Sequence, residues 1–251
     1  MMEFITIYWW RVLVAVVVAY LLGSLSFAVI FSKMAANKQD VRTMGSGNAG
    51  FTNVLRSVGV VPAIFTLVFD CLKGVLAMVI TILLIQAVPF DREAIDALSP
   101  NTQYTYLTIA KYMAGAFCIL GHCFPIFFGF KGGKGVTTVA GMAKMLDPFP
   151  WMLVINLGVY LLVLIITKIV SISSISACLA LPISNFFLTF FAIMKPTEAT
   201  NDPIGIGFVI ATTVIMFLIG AFVIFMHRSN IGRLIRGEEK KISAKKKEKA
   251  A

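Results

Sequence analysis

Seven stretches of apolar residues alternate with short polar segments along most of the chain, and this pattern predicts a protein that crosses a membrane several times. Most of the stretches approach or exceed the roughly 20 residues that a membrane-spanning helix needs. The fourth has about half that length, so it predicts either a short span or a re-entrant segment. No short segments of alternating hydrophobicity, which are typical of membrane β-barrels, are present. The stretches cover residues 7–31, 58–88, 105–127, 136–146, 149–166, 172–194 and 204–226.

The composition supports a membrane protein. Of the 251 residues, 59% are hydrophobic and 14% are charged, and the mean hydropathy is +0.89. A soluble domain carries about 25% charged residues. We therefore predict an all-α polytopic membrane protein with about seven transmembrane helices. Residues 1–238 are expected to form a single bundle, and residues 239–251 a basic tail without fixed structure.

Basic residues gather on one side of the predicted membrane. They follow the first, third, fifth and last apolar stretches, whereas acidic residues dominate the opposite loops. The positive-inside rule then places the N-terminus outside and the C-terminus in the cytoplasm, which requires an odd number of spans. The net charge of +10 comes mostly from this side and from the tail. We expect the tail to contact anionic membrane lipid and not to bind nucleic acid.

A glycine-rich polar segment, residues 44–56 (MGSGNAGFTNVLR), lies between the first two apolar stretches and is called strip 1 here. Glycines let a backbone approach a ligand closely, and successive amides can form a nest for an anion. An arginine at the end of such a loop suits phosphate oxygens. Strip 1 therefore predicts a phosphate site, with a capped turn and a snorkelling arginine as the alternative. The residues expected to bind are Gly45, Ser46, Gly47, Asn48, Thr52, Asn53 and Arg56.

A second glycine-rich segment, residues 129–138 (GFKGGKGVTT), follows the third apolar stretch and is called strip 2. It is not a nucleotide-binding loop, because Lys134 stands where that motif needs its second glycine. Its two lysines, Lys131 and Lys134, and free amides at Gly132 and Gly133 still predict phosphate binding. His122 lies just upstream, and we interpret it as a packed, hydrogen-bonded residue more readily than as a catalytic base.

Two ionisable residues lie inside the second apolar stretch. Asp70 and Lys73 are three residues apart, which places them on one face of a helix. Ionisable groups inside a span are costly and usually face the bundle interior. We expect a mutual ion pair that supports the site from behind, with direct substrate contact as the alternative.

Two more polar segments are predicted on the same side of the membrane. Residues 168–174 (KIVSISS) supply hydroxyl groups beside a lysine, and residues 227–233 (HRSNIGR) end the last apolar stretch. On a continuing helix, His227 and Asn230 share a face and Arg233 lies close to it. Such a cluster alone is typical of a topology anchor. Its meeting with the other strips favours a binding site.

The missing motifs also restrict the chemistry. The chain has no serine-hydrolase elbow, no zinc-binding histidine motif and no clustered carboxylates, so neither a metal nor a cofactor is expected. A reaction that these residues serve should depend on placement and positive electrostatics. The residues favour an enzyme that acts on phosphorylated substrates at the bilayer surface. A transporter of an organic phosphate or another anion is the rival, although no two-fold repeat supports it.

Four motifs, in this order and spacing, closely resemble the bacterial acyl-phosphate:glycerol-3-phosphate acyltransferases. They are GSGNxGxTNVxR at 45–56, DxxKG at 70–74, GHxxPxFxGFKGGKG at 121–135 and HRxNIxR at 227–233. The resemblance extends from the first span to about residue 238. It implies a seven-helix bundle in the bacterial cytoplasmic (inner) membrane.

The resemblance also implies a reaction. An acyl phosphate would transfer its fatty acyl group to the 1-hydroxyl of sn-glycerol 3-phosphate, which gives lysophosphatidic acid and phosphate for phospholipid synthesis. An enzyme that makes acyl phosphate would be a candidate partner. A covalent acyl-Ser46 intermediate is the alternative to direct transfer. The polar site residues that the resemblance implies are Ser46, Arg56, Lys134, Ser174, His227 and Asn230, with backbone donors at Gly132 and Gly133; from the residues alone, Ser171 would serve as well as Ser174.

Overall fold

The computed structural model describes residues 2–87, 92–146, 150–192 and 204–242, and helices are the regular structure of these ranges. The predicted helical class is therefore confirmed for them. The predicted span ends at residues 88, 149 and 193–194, and tail residues 243–251, lie outside the described residues. The α-helices are α1 (Met2–Gly23), α2 (Phe27–Ala35), α3 (Phe51–Ser57), α4 (Val60–Gln86), α5 (Arg92–Asp96), α6 (Pro100–Cys123), α7 (Val136–Lys144), α8 (Trp151–Thr167), α9 (Val170–Ala192), α10 (Ile206–Met226) and α11 (Arg228–Ile235), with short 3₁₀ turns at Val41–Thr43 and Ile126–Phe128.

Five helical stretches of the described residues are long and apolar enough to cross a membrane. They correspond to the predicted first, second, third, sixth and seventh spans. The chain is thus an integral, multi-pass membrane protein. The stretches are Tyr8–Ala35, Val60–Gln86, Pro100–Phe128, Val170–Phe191 and Ile206–Met226.

The two other predicted spans form shorter helices. α8 has 17 residues and α7 has 9. At 1.5 Å per residue, α7 measures only about 14 Å, roughly half of the hydrocarbon core. The prediction that the fourth stretch is unusually short is therefore confirmed, and α7 cannot cross a bilayer by itself.

The first span is interrupted between Gly23 and Phe27, where α1 gives way to α2. Lys73, on α4, donates hydrogen bonds to the carbonyl oxygens of Gly23 and Leu25, each at 3.0 Å. Backbone carbonyls inside a membrane protein need such partners, because lipid offers none. The buried ammonium group of Lys73 therefore stabilises the break and holds α4 against it.

Glycines allow the helices around the site to approach closely. A methyl group added at Gly23 would lie 2.1 Å from the carbonyl oxygen of Cys118 on α6, and one added at Gly141 on α7 would lie 2.1 Å from that of Cys71 on α4. Small residues at helix crossings are the usual means of tight packing in membranes. These contacts hold the two helices that flank strip 2 against α1 and α4.

The second half of the bundle is packed in chain order. α8 packs against α9, α9 against α10, and α10 also contacts α6. After α11 the chain reverses at Gly237, and the backbone amide of Ile242 donates to the carbonyl oxygen of Lys168 at 2.7 Å. Segment 237–242 therefore lies beside the loop between α8 and α9.

Candidate active site

Strip 1 folds into a tight loop that Asn53 holds in shape. Gly45 and Gly47 adopt the left-handed backbone conformation, which glycine adopts without steric cost. Asn53 is buried, and its side-chain oxygen accepts the Ser46 amide hydrogen at 3.0 Å. Its side-chain NH₂ group donates to the carbonyl oxygens of Val41 and Met44. The prediction that Asn53 offers its amide to the substrate is therefore corrected, because the loop itself uses that amide.

The other polar side chains of strip 1 are presented outwards. Ser46 and Arg56 are exposed, and Asn48 and Thr52 are partly exposed. Within the described part of the chain, none of these four side chains has a hydrogen-bond or ion-pair partner. They are therefore free to bind a ligand.

Strip 2 is a hairpin-like turn whose first amides are already engaged. The Gly132 amide donates to the Cys123 carbonyl and the Gly133 amide to the His122 carbonyl, both at 3.1 Å. The prediction of free amides at Gly132 and Gly133 is therefore wrong. Gly135, with φ +88°, ends the turn and starts α7.

The two strips touch at Gly133. A methyl group there would lie 2.2 Å from Nε2 of His122 and 2.6 Å from the carbonyl oxygen of Ala49 in strip 1. The glycine is required because only a residue without Cβ allows this approach. Strip 2 is thus seated directly against strip 1.

Lys134 lies where three of the polar segments meet. Its ammonium group donates a hydrogen bond to the side-chain oxygen of Asn230, beyond the last span. Burial, together with the positive charges of Arg233 and Arg56, lowers the pKa of Lys134 to about 8, against the opposing charge of Glu239. Both guanidinium groups are therefore close enough for their charges to act on Lys134.

A carboxylate from the chain beyond α11 completes this cluster. Glu239 accepts hydrogen bonds from Asn230 at 2.7 Å, from Ser171 at 2.9 Å and from Nε of Arg233 at 2.6 Å. Burial acts to raise the pKa of Glu239, but these hydrogen bonds outweigh it and hold the pKa below its usual range. Glu239 therefore joins α9 to α11 and orients the amide of Asn230.

The serines of α9 differ in their partners. Ser171 contacts the cluster through Glu239, whereas the hydroxyl of Ser174 donates to the Val170 carbonyl of its own helix. The two serines are three residues apart and share a helical face. Ser174 therefore lies one turn from the cluster, and in this structure Ser171 is the serine that contacts it.

His227 caps the end of α10 and is buried. Its Nδ1 atom donates to the Val223 carbonyl at 2.8 Å, so the neutral ring offers Nε2 as an acceptor. Burial lowers the pKa of His227 to about 4, and the charge of Lys134 adds to this effect. His227 is therefore neutral at physiological pH.

A buried ionic group lies behind both strips. The ammonium nitrogen of Lys73 is 2.8 Å from an Asp70 carboxylate oxygen, as predicted for the pair, and 2.9 Å from Nδ1 of His122. His122 is buried, and its Nε2 atom faces Gly133, where strip 2 meets the Ala49 carbonyl of strip 1. The pair thus reaches both strips through His122.

The segments that sequence analysis singled out therefore converge at one end of the bundle. The side chain of Lys131 is exposed and, like that of Arg56, has no hydrogen-bond or ion-pair partner among the described residues. The sequence model of the glycerol-3-phosphate acyltransferase family matches residues 13–237. The chain belongs to this family. It is a glycerol-3-phosphate acyltransferase, and the predicted family and enzyme class are confirmed.

Curated relatives and solved structures agree that the chain belongs to this family. The glycerol-3-phosphate acyltransferase of Clostridioides difficile (strain 630) is 39% identical over 234 residues, covering 93% of this chain and 97% of that relative. That of Prochlorococcus marinus (strain MIT 9215) is 38% identical over 226 residues, covering 90% and 94%.

Crystal structures of PlsY (YgiH), an integral membrane glycerol 3-phosphate acyltransferase, are similar to most of this chain. The glycerol 3-phosphate form is 31% identical with a TM-score of 0.66, covering 92% of this chain and 96% of PlsY. The lysophosphatidic acid form is 30% identical, with the same TM-score.

Two residues of the acyltransferase site were missed by sequence reasoning. Glu239 lies in a run of charges that was interpreted as the start of the tail, and its signal was an acid among bases directly after the last motif. Arg42 precedes strip 1 and was counted only in the charge balance. The sequence feature that could have identified Arg42 is its spacing from Asp40, two residues away, directly before the glycine-rich strip 1.

Proposed function

We propose that the acyltransferase transfers a fatty acyl group from acyl phosphate to the 1-hydroxyl of sn-glycerol 3-phosphate, giving lysophosphatidic acid and phosphate. The polar cluster in which Lys134 bonds to Asn230, while Asn230 and Arg233 both bond to Glu239, carries this proposal, and the charge of Arg56 also acts on Lys134. Two substrates that each bear a phosphate group need several cations near the reacting atoms. The PlsY forms with glycerol 3-phosphate and lysophosphatidic acid support the acceptor and the product.

Lys134 is the group that offsets charge on the phosphate that leaves the donor. It is partly buried, and a charge in such a site acts more strongly than in water. The first amides of α7 have no partner within their helix, and they directly follow Lys134 and Gly135 in the chain. In this proposal these amides replace the donors that were predicted at Gly132 and Gly133. Asn230 holds Lys134 in position.

In this proposal Arg56 and His227 receive the acceptor, and Ser174, Asn48 and Thr52 are the further polar groups assigned to it. The exposed guanidinium fork of Arg56 matches the phosphate of glycerol 3-phosphate. Because Nδ1 of His227 is occupied, its Nε2 atom suits a hydroxyl group better than a phosphate dianion. His227 therefore orients the attacking hydroxyl in this arrangement.

The transfer is direct. The 1-hydroxyl oxygen attacks the acyl carbonyl carbon, the bond between that carbon and the phosphate oxygen breaks, and the proton passes to the departing phosphate. The hydroxyl of Ser46 hydrogen-bonds to no base among the described residues, which argues against its activation for an acyl-serine intermediate. Incubation with donor alone, followed by mass spectrometry, tests this point, because an acylated Ser46 would contradict direct transfer.

Asp70, Lys73 and His122 act as a brace for the two strips. All three are buried, so none of them is offered to a substrate. Lys73 holds the break between α1 and α2, while His122 lies under Gly133. The brace therefore keeps strip 1 and strip 2 in contact.

The site faces the cytoplasm in the proposed topology. The enzyme lies in the bacterial cytoplasmic membrane as one bundle over residues 1–238, with the tail near anionic lipid. Seven crossings need α8 and the whole segment around α7, since α7 alone is too short to cross. An enzyme that makes acyl phosphate is the candidate partner. Labelling of single cysteines at residues 38 and 245 by a membrane-impermeant maleimide, from one side of sealed vesicles, tests this orientation.

The decisive experiment is a two-substrate assay on purified protein in lipid. Phosphate release and lysophosphatidic acid are measured with palmitoyl phosphate and glycerol 3-phosphate, with chelator present, beside a palmitoyl-CoA control. Release that requires both substrates is expected. Turnover with palmitoyl-CoA alone would overturn the proposed donor, and loss of activity in chelator would overturn the expectation that no metal is needed.

A further inference from the structure

Arg42 connects the segment before strip 1 to strip 2. Its Nη1 atom donates to the carbonyl oxygen of Phe128 at 2.6 Å and to that of Lys131 at 3.2 Å. The residues lie 86 and 89 positions apart in the chain, so these bonds join two separate loops.

Asp40 fixes the guanidinium group of Arg42 in this position. Its carboxylate accepts from the Arg42 backbone amide at 2.9 Å, from Nε at 3.1 Å and from Nη2 at 2.8 Å. Lys33 is 3.7 Å from the same carboxylate. The hydrogen bond from Arg42 lowers the pKa of Asp40, and its counterpart raises the pKa of Arg42. The pair remains charged throughout the physiological pH range.

The contacts continue from Arg42 to the presented groups on both sides. On one side, Asn53 bonds to the Val41 carbonyl and to the Ser46 amide, which ties the 3₁₀ turn to Ser46. On the other side, Lys131 is three residues before Lys134 within the same turn. The separation of Ser46 from Lys134 therefore depends on a chain of bonds that passes through Arg42.

We propose that Arg42, held by Asp40, is a positioning residue that sets the distance between the acceptor groups of strip 1 and Lys134 of strip 2. This inference rests on the proposed function, because it assigns the two substrates to different strips. Each substrate contacts its own strip, so a change in their separation leaves both binding steps largely intact. The rate of transfer falls, since misplacement by about 1 Å can cost 100-fold in rate.

The test is steady-state kinetics of Arg42→Lys with both substrates varied. Lysine keeps the charge but lacks the fork that bonds to Asp40 and to two carbonyl oxygens at once. We expect kcat to fall about 10- to 100-fold, with KM for each substrate changing less than about threefold. Arg236→Lys, at an exposed arginine that pairs with Glu238, is the matched control and keeps wild-type kcat.

The unchanged KM values distinguish positioning from the alternatives. A rise of tenfold or more in KM for glycerol 3-phosphate would show that Arg42 binds substrate, and an unchanged kcat would show that the connection does not matter; either result overturns the proposal. Should Arg42→Lys fail to fold, as judged by gel filtration and thermal unfolding, Asp40→Asn decides, because it leaves Arg42 in place and only releases it. For Asp40→Asn we also expect kcat to fall while KM changes little, with a smaller fall in kcat than for Arg42→Lys.

The assay uses whichever acyl donor the wild-type enzyme accepts. Failure of palmitoyl phosphate as a donor would therefore overturn the proposed donor without touching the kcat and KM comparison. A wild-type kcat for Asp40→Asn in folded protein, together with a wild-type kcat for Arg42→Lys, would contradict the positioning proposal alone.

Discussion

The ammonium group of Lys134 donates a hydrogen bond to the side-chain oxygen of Asn230, 96 residues further along the chain. This bond joins strip 2 to the helix that follows the last span. The NH₂ group of Asn230 donates to Glu239, so the amide has one orientation, with its oxygen towards Lys134. Asn230 therefore holds the ammonium group of Lys134 in position, and its own NH₂ group is occupied by Glu239.

Lys134→Ala should lower kcat and kcat/KM together. A single preorganised charge directed at the transition state contributes about 3–4 kcal/mol, or roughly 100- to 1000-fold in rate. Steady-state kinetics with both substrates measure the effect. Lys144→Ala, at an exposed lysine at the other end of α7, is the control and should keep full activity. A change in KM alone for Lys134→Ala would mean that this lysine only binds substrate.

The rate should also decline as the pH rises through about 8. The pKa of Lys134 is lowered to about 8, so its ammonium charge is present below that pH and is lost above it. The profile of kcat/KM reports the free enzyme and should therefore show this limb, whereas bound phosphate should move the limb in kcat to higher pH. His227, with a pKa of about 4, should add no acid limb between pH 5 and 8.

Lys134→Arg tests the assignment of this limb. An arginine keeps its charge at every accessible pH, so the alkaline decline should disappear even if the absolute rate is lower. If a decline at pH 8 persisted in this variant, another group would be responsible for it.

The helices were predictable from sequence because lipid imposes one length scale on every span. Five of the predicted spans reappear within a few residues at each described end, and the short fourth stretch forms α7. The break between α1 and α2 was not predicted. It depends on Lys73 from another helix, and hydropathy contains no information about such a distant partner.

The site was predictable as a set of residue types but not as a set of free atoms. Glycines at 132 and 133 predict free amides, yet these amides bond to the end of α6, which only the folded chain reveals. Asn53 lies in a loop whose residues predict phosphate binding, but its side chain is buried and faces the loop instead of a ligand. Glu239 looked like part of a solvated tail because its partners lie on α9 and α11.

Glu239→Gln should destabilise the protein as well as slow it. Hydrogen bonds to charged groups contribute about 1.5–3 kcal/mol each, and a glutamine cannot accept from Arg233, Asn230 and Ser171 together. We expect a fall in Tm of several degrees, measured in detergent, and a large loss of activity because Asn230 is released. Glu238→Gln is the matched control, because the carboxylate of Glu238 is exposed and, among the described residues, contacts only Arg236.

The outcome that would contradict this account is a pair of variants with the same Tm. In that case the contacts of Glu239 would contribute no more to stability than a surface ion pair does, which is about 0–1 kcal/mol.

Lys73→Met should lower Tm more than any surface change. It leaves the Asp70 carboxylate buried without its partner, which costs about 3–5 kcal/mol. The double variant Asp70→Asn with Lys73→Met removes the unpaired charge and should recover part of the loss. Recovery should be incomplete, because the carbonyl groups of Gly23 and Leu25 remain without a donor. Full recovery would show that the bonds to the helix break contribute nothing.

Gly133→Ala should separate the two strips. The added methyl group would lie 2.2 Å from Nε2 of His122 and 2.6 Å from the Ala49 carbonyl oxygen, and neither neighbour is the far end of a flexible chain. Overpacking of this kind costs about 1–3 kcal/mol. Because the clash lies between the strips, kcat should fall much further than Tm, as measured on the same preparation. Gly158→Ala on α8, where a methyl group meets nothing within 4 Å, should leave kcat unchanged and Tm equal or slightly higher. An active Gly133→Ala enzyme would mean that the strips tolerate a wider separation, and it would weaken the case that their contact at this glycine sets the geometry for transfer.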